Sequence, residues 1–255
     1  MSGAAIVILA FLIVIMFGVA AAQRIDAWKR RCPRPTWSGV FFWYLFRVYA
    51  RVVHRVEYSG AERLPTLAGG PIIVVANHTG GADPFLIQAA CSFEVRWMMM
   101  REMNRGIAAW FTRYGGIILV ERNGRDLSST RMALRHLRGG GAVGIFAEGG
   151  IERPPEVLRK FHSGVGFLVA RSGATVVPVW ISGTPKVTVA FHAVVRRSHA
   201  RVQFGPPMRF DESMDTEAIT LAIRDCIIQM SGWPCSDMDA AVPLDGNHVR
   251  TIAPA

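Results

Sequence analysis

Apolar positions follow three different patterns along the chain. From Ala4 to Ala22 no charge interrupts them, and Ile6 to Leu9 and Phe11 to Phe17 are all hydrocarbon apart from one thioether. About 20 such residues at about 1.5 Å each match a ~30 Å hydrocarbon slab, which predicts a transmembrane helix over residues 1–23. A cleaved signal peptide is the alternative, since Ala20-Ala21-Ala22 has the small residues a signal peptidase accepts. No Lys or Arg precedes the run, whereas Arg24, Lys29, Arg30, Arg31 and Arg34 follow it. The more positive flank stays inside, so the rest of the chain is expected on the cytoplasmic face of a single-pass protein.

The second pattern, Trp37 to Val53, mixes Phe41, Phe42, Trp43, Tyr44, Leu45 and Phe46 with Arg47 and Arg51. It suits a helix at the membrane interface, with rings at headgroup depth and arginines reaching lipid phosphate. It equally suits an amphipathic helix that covers the domain, and periodicity leaves both open. Residues 24–55 thus form a basic linker and interfacial helix.

The third pattern begins after Gly60. Pro71–Ala76, Val95–Met99, Gly116–Glu121, Ala142–Ala147, Thr175–Ile181 and Arg201–Phe204 read as strands. Pro84–Cys91, Ala108–Tyr114, Ser128–Arg138 and Val165–Arg171 read as helices between them, followed by a last helix from Asp215 to Met230. Such alternation predicts an α/β domain over residues 56–230, with a largely parallel sheet flanked by helices. Residues 231–255 carry Pro234, Pro243 and Pro254 without periodicity and are expected to form a loose tail.

Composition narrows the class. With 51% hydrophobic and 19% charged positions in 255 residues, the chain can bury one sizeable core and is not a disordered protein. A net charge of +10 draws it to polyanions, and a mean hydropathy of +0.25 turns that preference toward anionic lipid. The arginines cluster beside the apolar segments and no nucleic-acid-reading motif is present, so nucleic acid is not an expected partner. Cys32, Cys91, Cys226 and Cys235 are scattered without metal-ligand spacing, which reads as reduced thiols and no metal site. Gly139-Gly140-Gly141-Ala142-Val143-Gly144 satisfies G-x-G-x-x-G, but it follows a predicted helix and leads into a strand, the reverse of a dinucleotide site.

Candidate chemistry sits where Ile72-Ile73-Val74-Val75-Ala76 runs into Asn77-His78-Thr79-Gly80-Gly81-Ala82-Asp83-Pro84. Strand ends in such sheets open onto the ligand crevice. Gly80-Gly81 would let the backbone turn tightly, and Pro84 suits the first turn of a helix capped by Asp83. If the Asp83 carboxylate accepts one imidazole N–H of His78, the other ring nitrogen is free to take a proton from a hydroxyl. A helix cap and a turn residue with no chemistry would give the same residues.

These residues resemble the N-H-x-x-x-x-D block of the glycerolipid acyltransferase family, which includes the 1-acyl-glycerol-3-phosphate acyltransferases; the similarity covers about Gly60 to Pro207. The resemblance implies His78 as base and Asp83 as its orienter, with Asn77 beside the substrate. A second block, Gly116 to Arg122, matches the one in which the family's Arg holds acceptor phosphate. The third, F-P-E-G-T-R in the family, is here Phe146-Ala147-Glu148-Gly149-Gly150-Ile151: Glu148 and Gly149 match, while a hydroxyl and a guanidinium are replaced by Gly150 and Ile151. Arg153 stands where many members carry a second Arg, and Lys160 and His162 flank the place of the family's F-K-x-G. Pro178 in Val176-Val177-Pro178-Val179 fits the fourth block.

The resemblance implies a membrane-bound O-acyltransferase, with a glycerolphosphate-acyltransferase-like domain behind the anchor and interfacial helix. It would move an acyl chain from a thioester of CoA or acyl carrier protein to 1-acyl-glycerol-3-phosphate, giving phosphatidic acid, with no cofactor. The expected partners are the lysophospholipid, the acyl thioester, an anionic membrane surface and acyl carrier protein. The absence of a G-x-S-x-G elbow agrees with direct transfer without an acyl-enzyme. Loop amides near Gly80-Gly81 and Gly149-Gly150 are the candidate oxyanion donors. Gly150 and Ile151 leave two alternatives: the same chemistry on another lysophospholipid, a lyso-aminolipid or a glycolipid precursor, or a non-catalytic lipid-binding homologue.

Overall fold

The computed structural model describes residues 3–121, 127–151, 155–186 and 190–236, with side chains from residue 16 onward except at 107, 190 and 191. Two helices lead: α1 (Gly3–Lys29) and α2 (Trp37–Val52), the latter started by Thr36, whose hydroxyl accepts from the Gly39 N–H. The domain follows as β1 (Glu57–Ser59), β2 (Ile72–Ala76), α3 (Asp83–Ala90), β3 (Val95–Met100), α4 (Ile107–Gly115), β4 (Ile118–Val120) and α5 (Leu127–Arg138). It continues with β5 (Ala142–Phe146), α6 (Gly164–Ser172), β6 (Thr175–Ser182), α7 (Ala190–Val195), β7 (Arg201–Phe204) and α8 (Thr216–Ser231).

The seven strands form one sheet in the order β1-β7-β6-β2-β5-β3-β4. All neighbours are parallel except β6 and β7. Strand β2 is buried along its whole length, which is why it is a continuous apolar run rather than an alternating one. Ile72, Val74 and Ala76 face a core closed by Ala50 of α2 and Leu86 and Ile87 of α3. Ile73 and Val75 face a second core closed by α5, α6 and α8 through Leu137, Leu168 and Ile223. The fold is therefore helices on both faces of a mostly parallel sheet, as the alternation predicted.

Some expectations change. The chain also forms β1, a three-residue exposed strand, and α7, neither of which the pattern predicted. Asp215 is the N-cap of α8 rather than its first residue, accepting from the N–H groups of Glu217 and Ala218. At the start of the tail, Ser236 N–H donates to Leu158 O and Leu158 N–H donates to Pro234 O, so this stretch is docked; residues 237–255 lie outside the described ones. The helix predicted over residues 1–23 is present as α1 and continues to Lys29. Its crossing of a bilayer is not shown: among the described residues no helix is long and apolar enough to cross a membrane, and the apolar side chains up to Ile15 are outside them.

Helix α2 is tied to the domain at both ends. Before it, the Arg34 guanidinium pairs with Glu94 and donates to Tyr114 O. Near its end, Tyr49 Oη donates to Val194 O of α7 at 2.6 Å and so accepts from His54 Nε2 at 2.8 Å. The remaining nitrogen, His54 Nδ1, then accepts from the Ser198 hydroxyl at 2.7 Å. Trp37, Phe41, Tyr44, Leu45, Val48 and Val52 remain exposed at helical spacing on the outer side.

Candidate active site

Residues 77–83 follow the C-terminal end of β2, and the loop folds back on itself around one carboxylate. Asp83 Oδ2 lies 2.8 Å from His78 Nδ1 and accepts the backbone N–H groups of Thr79 at 2.7 Å and Gly80 at 2.9 Å. Asp83 Oδ1 accepts from the Thr79 hydroxyl at 3.1 Å. A carboxylate only accepts, so His78 carries its proton on Nδ1 and keeps its lone pair on Nε2. Asp83 is fully buried and the His78 side chain is 18% exposed. The orienter is thus sealed and the base reachable.

Asp83 does not cap α3. It is the first helical residue, Ala82 holds the cap position in an α-helical conformation, and the carboxylate is spent on the loop before it. Nor do the two glycines supply left-handed turns: neither Gly80 nor Gly81 has a positive φ. Gly80 serves close approach instead, because a Cβ there would lie 3.1 Å from Ala193 Cβ of α7.

Three further groups hold the loop. Asn77 is fully buried, with its amide exchanging two hydrogen bonds with the Ile181 backbone of β6 at 2.8 and 2.9 Å. Its amide therefore braces the loop rather than reaching outward. Glu148 accepts the His78 N–H at 3.1 Å on one oxygen and the Arg159 N–H at 3.1 Å on the other. Burial pushes its carboxyl up to about 7, against the opposing pull of those two amides and of the nearby His78 and Arg159 side chains. Thr184, after β6, lies 2.6 Å from the Thr79 hydroxyl. Since the Thr79 proton goes to Asp83, Thr184 is the donor.

The other residues expected at the site are less gathered. His162 comes close: its Nε2 lies 2.5 Å from where a Gly149 Cβ would be, and Gly149 has φ +69°, so only glycine fits beneath that ring. Lys160 is exposed, and Arg122 and Arg153 lie outside the described residues. Pro178 is buried in β6, where its ring packs by Gly205 and Met230 on the face opposite Phe146. Its carbonyl accepts from Gly205 N–H, so its missing N–H faces the side where the β7 ladder has already ended at Phe204. Of the candidate oxyanion amides, Gly80 N–H is taken by Asp83 and Gly149 N–H by Phe146 O. Burial pushes the Cys91 thiol up to about 12, which removes it as a nucleophile.

Thr184 and Arg159 were not found from the sequence. They arrive from the segments after β6 and β5, and no local spacing links them to residue 78.

The family described as Acyltransferase matches residues 55–182, which span β1 to the end of β6 and contain His78, Asp83 and Glu148. The chain is a member of that family. It is an acyltransferase. An N-acylphosphatidylethanolamine synthase of Arabidopsis thaliana is 27% identical over 215 residues, covering 74% of this chain and 76% of that protein. The crystal structure of the 1-acyl-sn-glycerophosphate acyltransferase PlsC of Thermotoga maritima superposes with a TM-score of 0.64 at 19% identity, covering 75% of this chain and 77% of that one. This acyltransferase and PlsC thus share one α/β architecture.

Proposed function

We propose that this acyltransferase moves an acyl chain from an acyl thioester to the free hydroxyl of 1-acyl-glycerol-3-phosphate, giving phosphatidic acid. The observation that carries the reading is the sealed Asp83 carboxylate 2.8 Å from Nδ1 of an accessible His78. His78 Nε2 removes the hydroxyl proton as the oxygen attacks the thioester carbonyl carbon. The tetrahedral intermediate collapses, the C–S bond breaks, and the imidazolium returns its proton to the leaving thiolate. The products are the ester and the free thiol of CoA or acyl carrier protein. General-base help of this kind is worth about 10²–10⁴ in rate.

Membrane attachment belongs to the same reading. Helix α1 is the anchor of a single-pass protein, and the exposed apolar face of α2 rests in the headgroup layer on the cytoplasmic side, where lysolipid partitions. Lys160, Arg122 and Arg153 are the cations proposed to meet the acceptor phosphate, with the His162 imidazole as a further hydrogen-bonding group.

A second acceptor class has its own support. Gly150 and Ile151 stand where the family has Thr and Arg, and the Arabidopsis relative is named for acylating an aminolipid. The same base would then deprotonate an amine. The test is acyl transfer in mixed micelles, offering lysophosphatidic acid, phosphate-free lysolipids and phosphatidylethanolamine with both CoA and carrier-protein donors. Preference for lysophosphatidic acid, abolished in His78→Ala, is the expected result. Preference for the amine overturns the acceptor, and full activity in a folded His78→Ala overturns the base.

A further inference from the structure

The acyl-transfer step uses the edge of the His78 ring, yet its face is also occupied. Phe146 lies flat against it, with ring centroids 4.0 Å apart and planes 16° from parallel. Trp97 lies under Phe146 in turn, at 4.9 Å and 14°. The column crosses three neighbouring strands, since His78 follows β2, Phe146 ends β5 and Trp97 belongs to β3. Gly144 makes room for it: a Cβ there would fall 2.5 Å from the Trp97 ring.

This geometry treats the two protonation states of His78 differently. Two neutral rings stacked in parallel are held mainly by dispersion, since their faces carry the same sign of charge. An imidazolium is instead drawn to the electron-rich face of a phenyl ring, and more strongly where water is kept away. In the proposed mechanism the imidazolium exists only between proton removal and proton return. An interaction that strengthens only then lowers the barrier rather than tightening substrate binding. Asp83 acts on the same charge from the ring edge at Nδ1, and Glu148 meets the His78 backbone, so Phe146 is the group on the ring face.

We propose that Phe146, held flat by Trp97, is a positioning residue that stabilises the imidazolium form of His78 during acyl transfer through a cation–π contact. This rests on the assignment of His78 as the base. The decisive variants replace Phe146 with phenylalanines carrying one to five ring fluorines, which drain the ring face while nearly keeping its shape. The single-turnover rate of acyl transfer is expected to fall stepwise along the series, to about one tenth at full fluorination, a barrier change of about 1.4 kcal/mol. Substrate concentration for half-maximal rate and thermal midpoint should stay constant. Phe146→Leu, which has no ring face, should be at least as slow as the fully fluorinated protein. A flat rate across the fluorinated series, or a wild-type rate in Phe146→Leu, overturns the proposal. His78→Ala is measured alongside: if it is inactive while the series is flat, only the stacking proposal falls, and if it is active, the base assignment falls with it.

Discussion

Asp83→Asn is the most direct probe of the buried carboxylate. The amide is nearly isosteric, and its carbonyl oxygen can take the place of Oδ2, keeping the three donors from His78, Thr79 and Gly80. Its NH₂ then replaces Oδ1 and faces the Thr79 hydroxyl, which can turn to accept and pass its own proton to Thr184. Loop geometry is thus retained and the negative charge alone is lost. A carboxylate about 4 Å from an imidazolium centre, at an effective dielectric constant of about 20, contributes about 4 kcal/mol of attraction. That attraction exists only once His78 is charged, so its loss should lower kcat by about 10³-fold with KM little changed. The assay is release of free thiol from an acyl thioester in mixed micelles, alongside a thermal melt of the same sample. A folded Asp83→Asn protein with kcat within tenfold of wild type would refute the claim that this carboxylate supports charge on His78.

Two predictions concern the groups behind the site. Burial holds the Glu148 carboxyl at about 7 against 4.5 for a free one, so the native state binds a proton that the unfolded chain has released between those values. The resulting stability is fully present below about pH 4.5 and is lost as pH rises through 7, by up to about 3 kcal/mol; denaturant unfolding across this window should show that decline in wild type and not in Glu148→Gln. Gly144→Ala places a methyl 2.5 Å from the Trp97 ring, and the overpacking should cost about 1–3 kcal/mol, read as a lower thermal midpoint together with a slower acyl-transfer rate.

What the sequence revealed and what it hid follow from how local each signal is. The strand β2 was legible because a strand buried on both faces, here Ile72–Ala76, reads as an uninterrupted apolar run. His78 and Asp83 were legible because one tight loop contains both. Strand β1 was not, since Glu57, Tyr58 and Ser59 are all exposed and show no alternation. Asn77 reads as a site residue from its position, yet its amide works as a brace to Ile181, a partner 104 residues away. Phe146 belongs to a visible block, but its role depends on lying between His78 and Trp97, which only the order β2-β5-β3 in the sheet brings about.

The clasp between Tyr49 and Val194 has a practical consequence for anyone purifying this protein. Helix α7 leans on Gly80, and α2 holds α7. A soluble fragment cut at Arg55, where the family match begins, would lose Tyr49 and His54, uncover Phe85 where Phe46 now packs, and leave Ser198 without its imidazole. Such a fragment would report a weakened enzyme for reasons of packing alone, so the whole chain is the sounder starting material.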